Sequence, residues 1–183
     1  MNREQFEHAV RAAGAILGED EVLVIGSQAI HGSTDGPLPP EAMRSIEVDV
    51  AAFGDEDGSR ADLIDGAIGE ASMFHATFGY YAQGVVETTA VLPAGWRDRL
   101  VCFSSPATSG VTARCLEPHD LWVSKAIAHR PRDREFCRAL LRERMVDPEI
   151  LRERLAAVSD LADERRELVE HLLDDGEKSG AAE

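Results

Sequence analysis

Between Ser45 and Val50 the chain alternates strictly, reading SIEVDV. Successive side chains of an extended strand point to opposite faces, so Ile46, Val48 and Val50 share one face and Ser45, Glu47 and Asp49 share the other. The two carboxylates then lie about 7 Å apart at Cα. Without a cation they repel each other, more severely if buried. They are close enough to grip one or two Mg²⁺ ions together. A second strand is expected just upstream, in the apolar run Val22–Ile25. Gly26-Ser27 ends it, and Gln28-Ala29-Ile30 can begin a short helix. A helix start offers free backbone N–H groups and a positive dipole end, so Gly26-Ser27 reads as a phosphate cradle.

The flanking segments supply an α/β framework. Phe6, Val10, Ala13 and Leu17 recur at helical spacing before Gly18, giving an opening helix. Residues 32–44 form an irregular loop with three prolines, expected to sit over the pocket beside Gly26-Ser27. Leu63, Ile64, Ala67 and Ile68 stripe a further helix, capped by Ser59, while 69–79 is open between helix and loop. Tyr80-Tyr81, Val85-Val86, Thr88–Leu92, Leu100–Phe103 and Val111–Cys115 carry strand propensity. Trp96–Arg99 reads as a structural corner. From Glu117 onward the pattern is helical, with proline at a first helical position at Pro118 and Pro148, a break at Pro131 and a second helix over Asp133–Arg144.

Composition narrows the function classes. A net charge of -15 argues against a protein that coats nucleic acid nonspecifically. Between Lys125 and Arg154, however, nine Lys/Arg face six Asp/Glu, a local excess suited to a polyphosphate or RNA acceptor or to salt-bridged helix faces. Cys102, Cys115 and Cys137 lack metal-ligand spacing and read as buried thiols of a reducing, cytoplasmic compartment. No apolar run opens the chain as a leader, and none approaches membrane-spanning length.

Strand–Gly-Ser–helix, followed by acid-hydrophobic-acid-hydrophobic on the next strand, resembles the nucleotidyltransferase fold shared with DNA polymerase β. Within it the chain looks most like the minimal nucleotidyltransferases related to AbiEii and MenT toxins. A second stretch, DLWVSKAIAHRPRDREF (residues 120–136), is similar to the same group, with Asp120, Lys125 and Asp133 at the matching positions. The resemblance implies an α/β (α+β) fold, a mixed sheet flanked by helices. Residues 1–116 would form the core and 117–175 a C-terminal helical bundle closing the pocket, with 176–183 a disordered tail. It implies Mg²⁺-dependent (or Mn²⁺-dependent) transfer of a nucleotidyl group from an NTP to an acceptor hydroxyl on tRNA or protein, in the setting of a toxin with an antitoxin partner. Glu47 and Asp49 would hold metal, Gly26 and Ser27 the triphosphate, and Lys125 the phosphate charge, with Asp133 assisting. Glu87, in VVETTAVLP, is the expected third carboxylate. The alternative is a catalytically silent nucleotide-binding or interaction module. Two features depart from the family pattern: Glu47 stands where Asp is usual, and the loop between Ser27 and Glu47 is long.

Overall fold

Helix α1 (Arg3–Leu17) opens on a capping box between Asn2 and Gln5 and closes on Gly18, whose φ of +68° suits a residue without Cβ. The computed structural model describes residues 1–180. After α1 the order is β1 (Glu21–Val24), α2 (Pro40–Met43), β2 (Glu47–Ala51), α3 (Ser59–Ile68), α4 (Met73–Phe78) and β3 (Tyr81–Gly84). There follow β4 (Val101–Phe103), β5 (Thr112–Cys115), α5 (Pro118–Ala128), α6 (Pro131–Arg142), α7 (Pro148–Ala156) and α8 (Asp163–Gly180).

The five strands form one mixed sheet in the order β3-β2-β1-β5-β4. Strand β1 lies at its centre, antiparallel to β2 and parallel to β5. Val22, Leu23 and Val24 are fully buried, which is why this strand reads as an unbroken apolar run rather than an alternating one. Strand β2 pairs in parallel with β3, placing Glu47 opposite Tyr81 and Asp49 opposite Gln83. Helices α1 and α3 contact β2, and α3 packs closely on β3, where Gly84 runs too near the Ala61 carbonyl for any Cβ. Val48 and Val50 are buried, while the partly buried Glu47 and Asp49 lie on the alternate face and line cavities.

The C-terminal helices share one core with the sheet, a continuous apolar cluster running from Phe6 through Val24 and Trp122 to Leu173. Trp122 is fully buried, and its indole N–H donates to the Cys137 carbonyl at 3.0 Å, locking α5 to α6. Among the described residues no helix is long and apolar enough to cross a membrane.

Four local expectations change. The segment 86–92 is not a strand: β3 ends at Gly84, and Glu87–Thr89 form a 3₁₀ turn. Its β-branched residues have the propensity but no partner strand, and propensity for β depends on that context. Helix α6 starts at Pro131 rather than Asp133, because proline fits the first helical position. Ile46 precedes β2 and is 49% exposed, so its alternation does not carry it into the core. The tail expected to be disordered from 176 continues as helix α8 to Gly180, with the expected tail's last residues, 181–183, outside the described residues.

Candidate active site

The pair of acids on β2 is assembled by three neighbours. The first is the end of β1. Gly26 follows the strand with an extended backbone (φ -87°) open to any residue, yet a Cβ there would stand 1.5 Å from Asp49 Oδ2. The missing side chain is therefore the space in which the Asp49 carboxylate lies. Ser27 opens a 3₁₀ turn, Ser27–Gly32, and its hydroxyl accepts from Gln28 Nε2 at 3.3 Å. That leaves the Ser27 hydroxyl proton available to a ligand.

The second neighbour is β3. Tyr81 Oη donates to Glu47 Oε2 at 2.8 Å. The third is the α5–α6 corner. Helix α5 ends on His129 in the left-handed region (φ +57°), and Arg130 turns the chain into α6. The corner brings Lys125 from the last turn of α5, and Arg132 and Asp133 from the first turn of α6, to the carboxylates. Asp133 is buried and accepts the Arg130 backbone N–H at 3.2 Å, so it caps α6 as it lines the cavity.

Two adjoining cavities meet at this pair. One, of about 130 Å³, is lined by Ser27, Glu41, Arg44, Ser45, Asp133 and Phe136 with Glu47, Asp49, Lys125 and Arg132. The other, of about 90 Å³, shares those last four residues and adds Gly26, Val85, Thr89, Ser124 and Arg130 among others. The proline-rich loop does border the first cavity, through Glu41 and Arg44. It is pinned to α6 by ion pairs of Arg44 with Glu135 and of Glu41 with Arg142.

The electrostatics centre on Asp49. Burial pushes its carboxyl up from the ordinary 3.8 to about 6. The positive charges of Lys125 and Arg132 oppose the rise, and the Glu47 charge with the hydrogen bond shared between the two acids adds to it. The pair thus holds negative charge in a place that disfavours it. Oxygen donors of this kind suit a hard divalent cation.

Of the residues picked out from sequence, Gly26, Ser27, Glu47, Asp49, Lys125 and Asp133 converge here. Glu87 does not join them. It sits on the 3₁₀ turn, pairs with Arg97 and accepts the Gly54 N–H at 3.3 Å. Asp120 is also elsewhere: fully buried, it takes both Nε and Nη2 of Arg99, at 2.8 and 2.9 Å, with Arg154 at 3.4 Å. Among the described residues no group of three or more His, Cys, Asp and Glu forms a metal-binding set. Cys115 and Cys137 are buried, and burial lifts the Cys115 thiol to about 12, whereas Cys102 is exposed, its sulfur 2.8 Å from Arg114 Nη1. Sequence reasoning missed Tyr81, whose role depends on a strand register that no local pattern encodes. It also passed over Arg132, which stood inside the RPRD stretch.

The family described as nucleotidyltransferase of unknown function (DUF6036) matches residues 5–172. The chain belongs to that family. The match spans the sheet, both acids of β2 and the α5–α6 corner. The mixed α/β architecture agrees with a nucleotidyltransferase-like fold. No curated protein and no solved structure matches the chain.

Proposed function

We propose that this protein transfers a nucleotidyl group from an NTP to an acceptor hydroxyl, with Glu47 and Asp49 holding Mg²⁺ or Mn²⁺. The observation that carries the reading is the Asp49 carboxylate, set into the space left by Gly26, beside Glu47 and facing Lys125. The residues fit such an ion, because a paired acid held partly out of water gains most from a cation. Mg²⁺ commonly takes one or two protein carboxylates and completes its shell with substrate phosphates and water. When bound, it supplies Lewis-acid polarisation of the phosphate and eases deprotonation of the acceptor hydroxyl.

The chain's own groups do the rest. Ser27 donates its hydroxyl to a phosphate oxygen at the end of β1, with the Gly26 backbone allowing close approach. Lys125 and Arg132 neutralise charge where the triphosphate meets the carboxylates. In the overall step the acceptor oxygen bonds to the α-phosphorus, the bond to the β-phosphate bridging oxygen breaks, and pyrophosphate and the acceptor proton leave. The two cavities give the two substrates separate approaches to one pair of acids. By the resemblance above, the acceptor is tRNA or a protein residue, and the setting is the toxin of a toxin–antitoxin pair in the cytoplasm.

A silent nucleotide-binding or interaction module on the same fold is the second reading, favoured by Glu87 being engaged with Arg97 rather than completing a set of three carboxylates. The test is incubation with each of the four α-³²P-labelled NTPs, Mg²⁺ and total cellular RNA, beside a Glu47→Gln/Asp49→Asn protein. Label on RNA or on the protein itself, only with intact carboxylates, supports the transferase and names its acceptor. Label on neither, with nucleotide binding demonstrated, favours the silent module.

A further inference from the structure

Glu47 is a longer arm than the aspartate its position resembles, with one more rotatable bond to fix before its oxygens have a defined place. Something must hold it if it is to act with Asp49, whose own carboxylate is confined against Gly26. The structure supplies one contact of the right kind. Tyr81 lies directly opposite Glu47 in the parallel β2–β3 register, on the same sheet face, and is only 8% exposed. Its hydroxyl donates to Glu47 Oε2 at 2.8 Å. The ring is itself confined by His75 of α4, with centroids 4.8 Å apart. A phenol keeps its proton at neutral pH, so the hydroxyl is the donor and the carboxylate the acceptor.

We propose that Tyr81 is a positioning residue: by holding one oxygen of Glu47 it presents the other, beside Asp49, to a divalent cation. This rests on the metal-dependent reading of the site given above. It explains how a glutamate serves where a shorter acid would reach without help. Hydrogen bonds from outside the ligand set commonly fix ligand orientation, and losing one costs about 10- to 100-fold in metal affinity.

Because the effect must pass through Glu47, a double-mutant cycle isolates it. Mn²⁺ binding, followed by electron paramagnetic resonance with the metal alone, is measured for wild type, Tyr81→Phe, Glu47→Asp and the double variant. Tyr81→Phe removes one oxygen and keeps the ring, with Tyr81→Leu as a second protein lacking the hydroxyl. Thermal melts confirm that each protein is folded. The expected result is about a tenfold loss for Tyr81→Phe with Glu47 present and no further loss with Asp at 47, where the acid is one methylene short of the hydroxyl. Equal losses in both backgrounds, or none in either, overturn the role of Tyr81 while leaving the metal site standing. Wild type that binds no Mn²⁺ overturns the metal reading and this inference together.

Discussion

Gly26 and Asp49 occupy one another's space: a side chain on the first would stand 1.5 Å from Oδ2 of the second. The glycine is required by contact rather than by conformation, since its φ of -87° is open to any residue.

Gly26→Ala is therefore expected to act as an Asp49 variant in disguise. The methyl group forces the carboxylate out of its position while the backbone stays extended. Mn²⁺ affinity should fall at least about tenfold with the protein still folded, as expected when a ligand loses its orientation. Calorimetry against wild type checks this, and unchanged affinity would mean the carboxylate has another place to go.

Asp49 gives a pH prediction with a definite sign. Its folded carboxyl titrates at about 6 against an ordinary 3.8. Below about pH 4 it is protonated in both states and costs nothing. Between about pH 4 and about pH 6 the unfolded chain ionises first, so the metal-free protein loses stability, on the order of 3 kcal/mol once the folded carboxyl has also ionised. Asp49→Asn should accordingly melt higher than wild type at about pH 8, with the gap closing towards about pH 4. Added Mn²⁺ should stabilise wild type alone at the higher pH. A gap that does not vary with pH would contradict the burial argument.

Lys125 is one of the two cations that hold Asp49 down. Lys125→Met should leave stability within about 0.5 kcal/mol at low pH, as for most substitutions that break no packing. It should raise the Asp49 titration further and weaken NTP binding clearly, measured by calorimetry with Mn²⁺ present. A variant that unfolds early and still binds NTP would make Lys125 structural.

Asp120, by contrast, is expected to matter for the fold. Buried between Arg99 and Arg154, it is the shared carboxylate of two guanidinium groups. Asp120→Asn leaves both cations short of a partner, at a cost of about 3 kcal/mol. Chemical denaturation measures the loss, and Mn²⁺ affinity of the folded fraction should be unchanged.

These contrasts mark what the sequence could tell. Alternation in SIEVDV was enough to put Glu47 and Asp49 on one face, because strand period is a local property. Gly-Ser after an apolar run was enough to place Ser27 at the same end of the sheet. The partners of Glu87 and Asp120 were not legible: Arg97, Arg99 and Arg154 reach them through a 3₁₀ turn and a helix packing that depend on the whole fold. Tyr81 was hidden for the same reason, since only the β2–β3 register sets it opposite Glu47. The Thr88–Leu92 strand failed because side-chain propensity cannot supply a neighbouring strand to pair with.

The central claim is that the Glu47–Asp49 pair serves transfer of the nucleotidyl group and not of the terminal phosphate. The most direct measurement follows α-labelled and γ-labelled NTP in parallel reactions with the acceptor, while pyrophosphate is quantified. The account predicts α-label on the acceptor with one pyrophosphate released per transfer, abolished in the Glu47→Gln/Asp49→Asn protein. Transfer of the γ-label with release of nucleoside diphosphate, or α-transfer that persists without the two carboxylates, would contradict it.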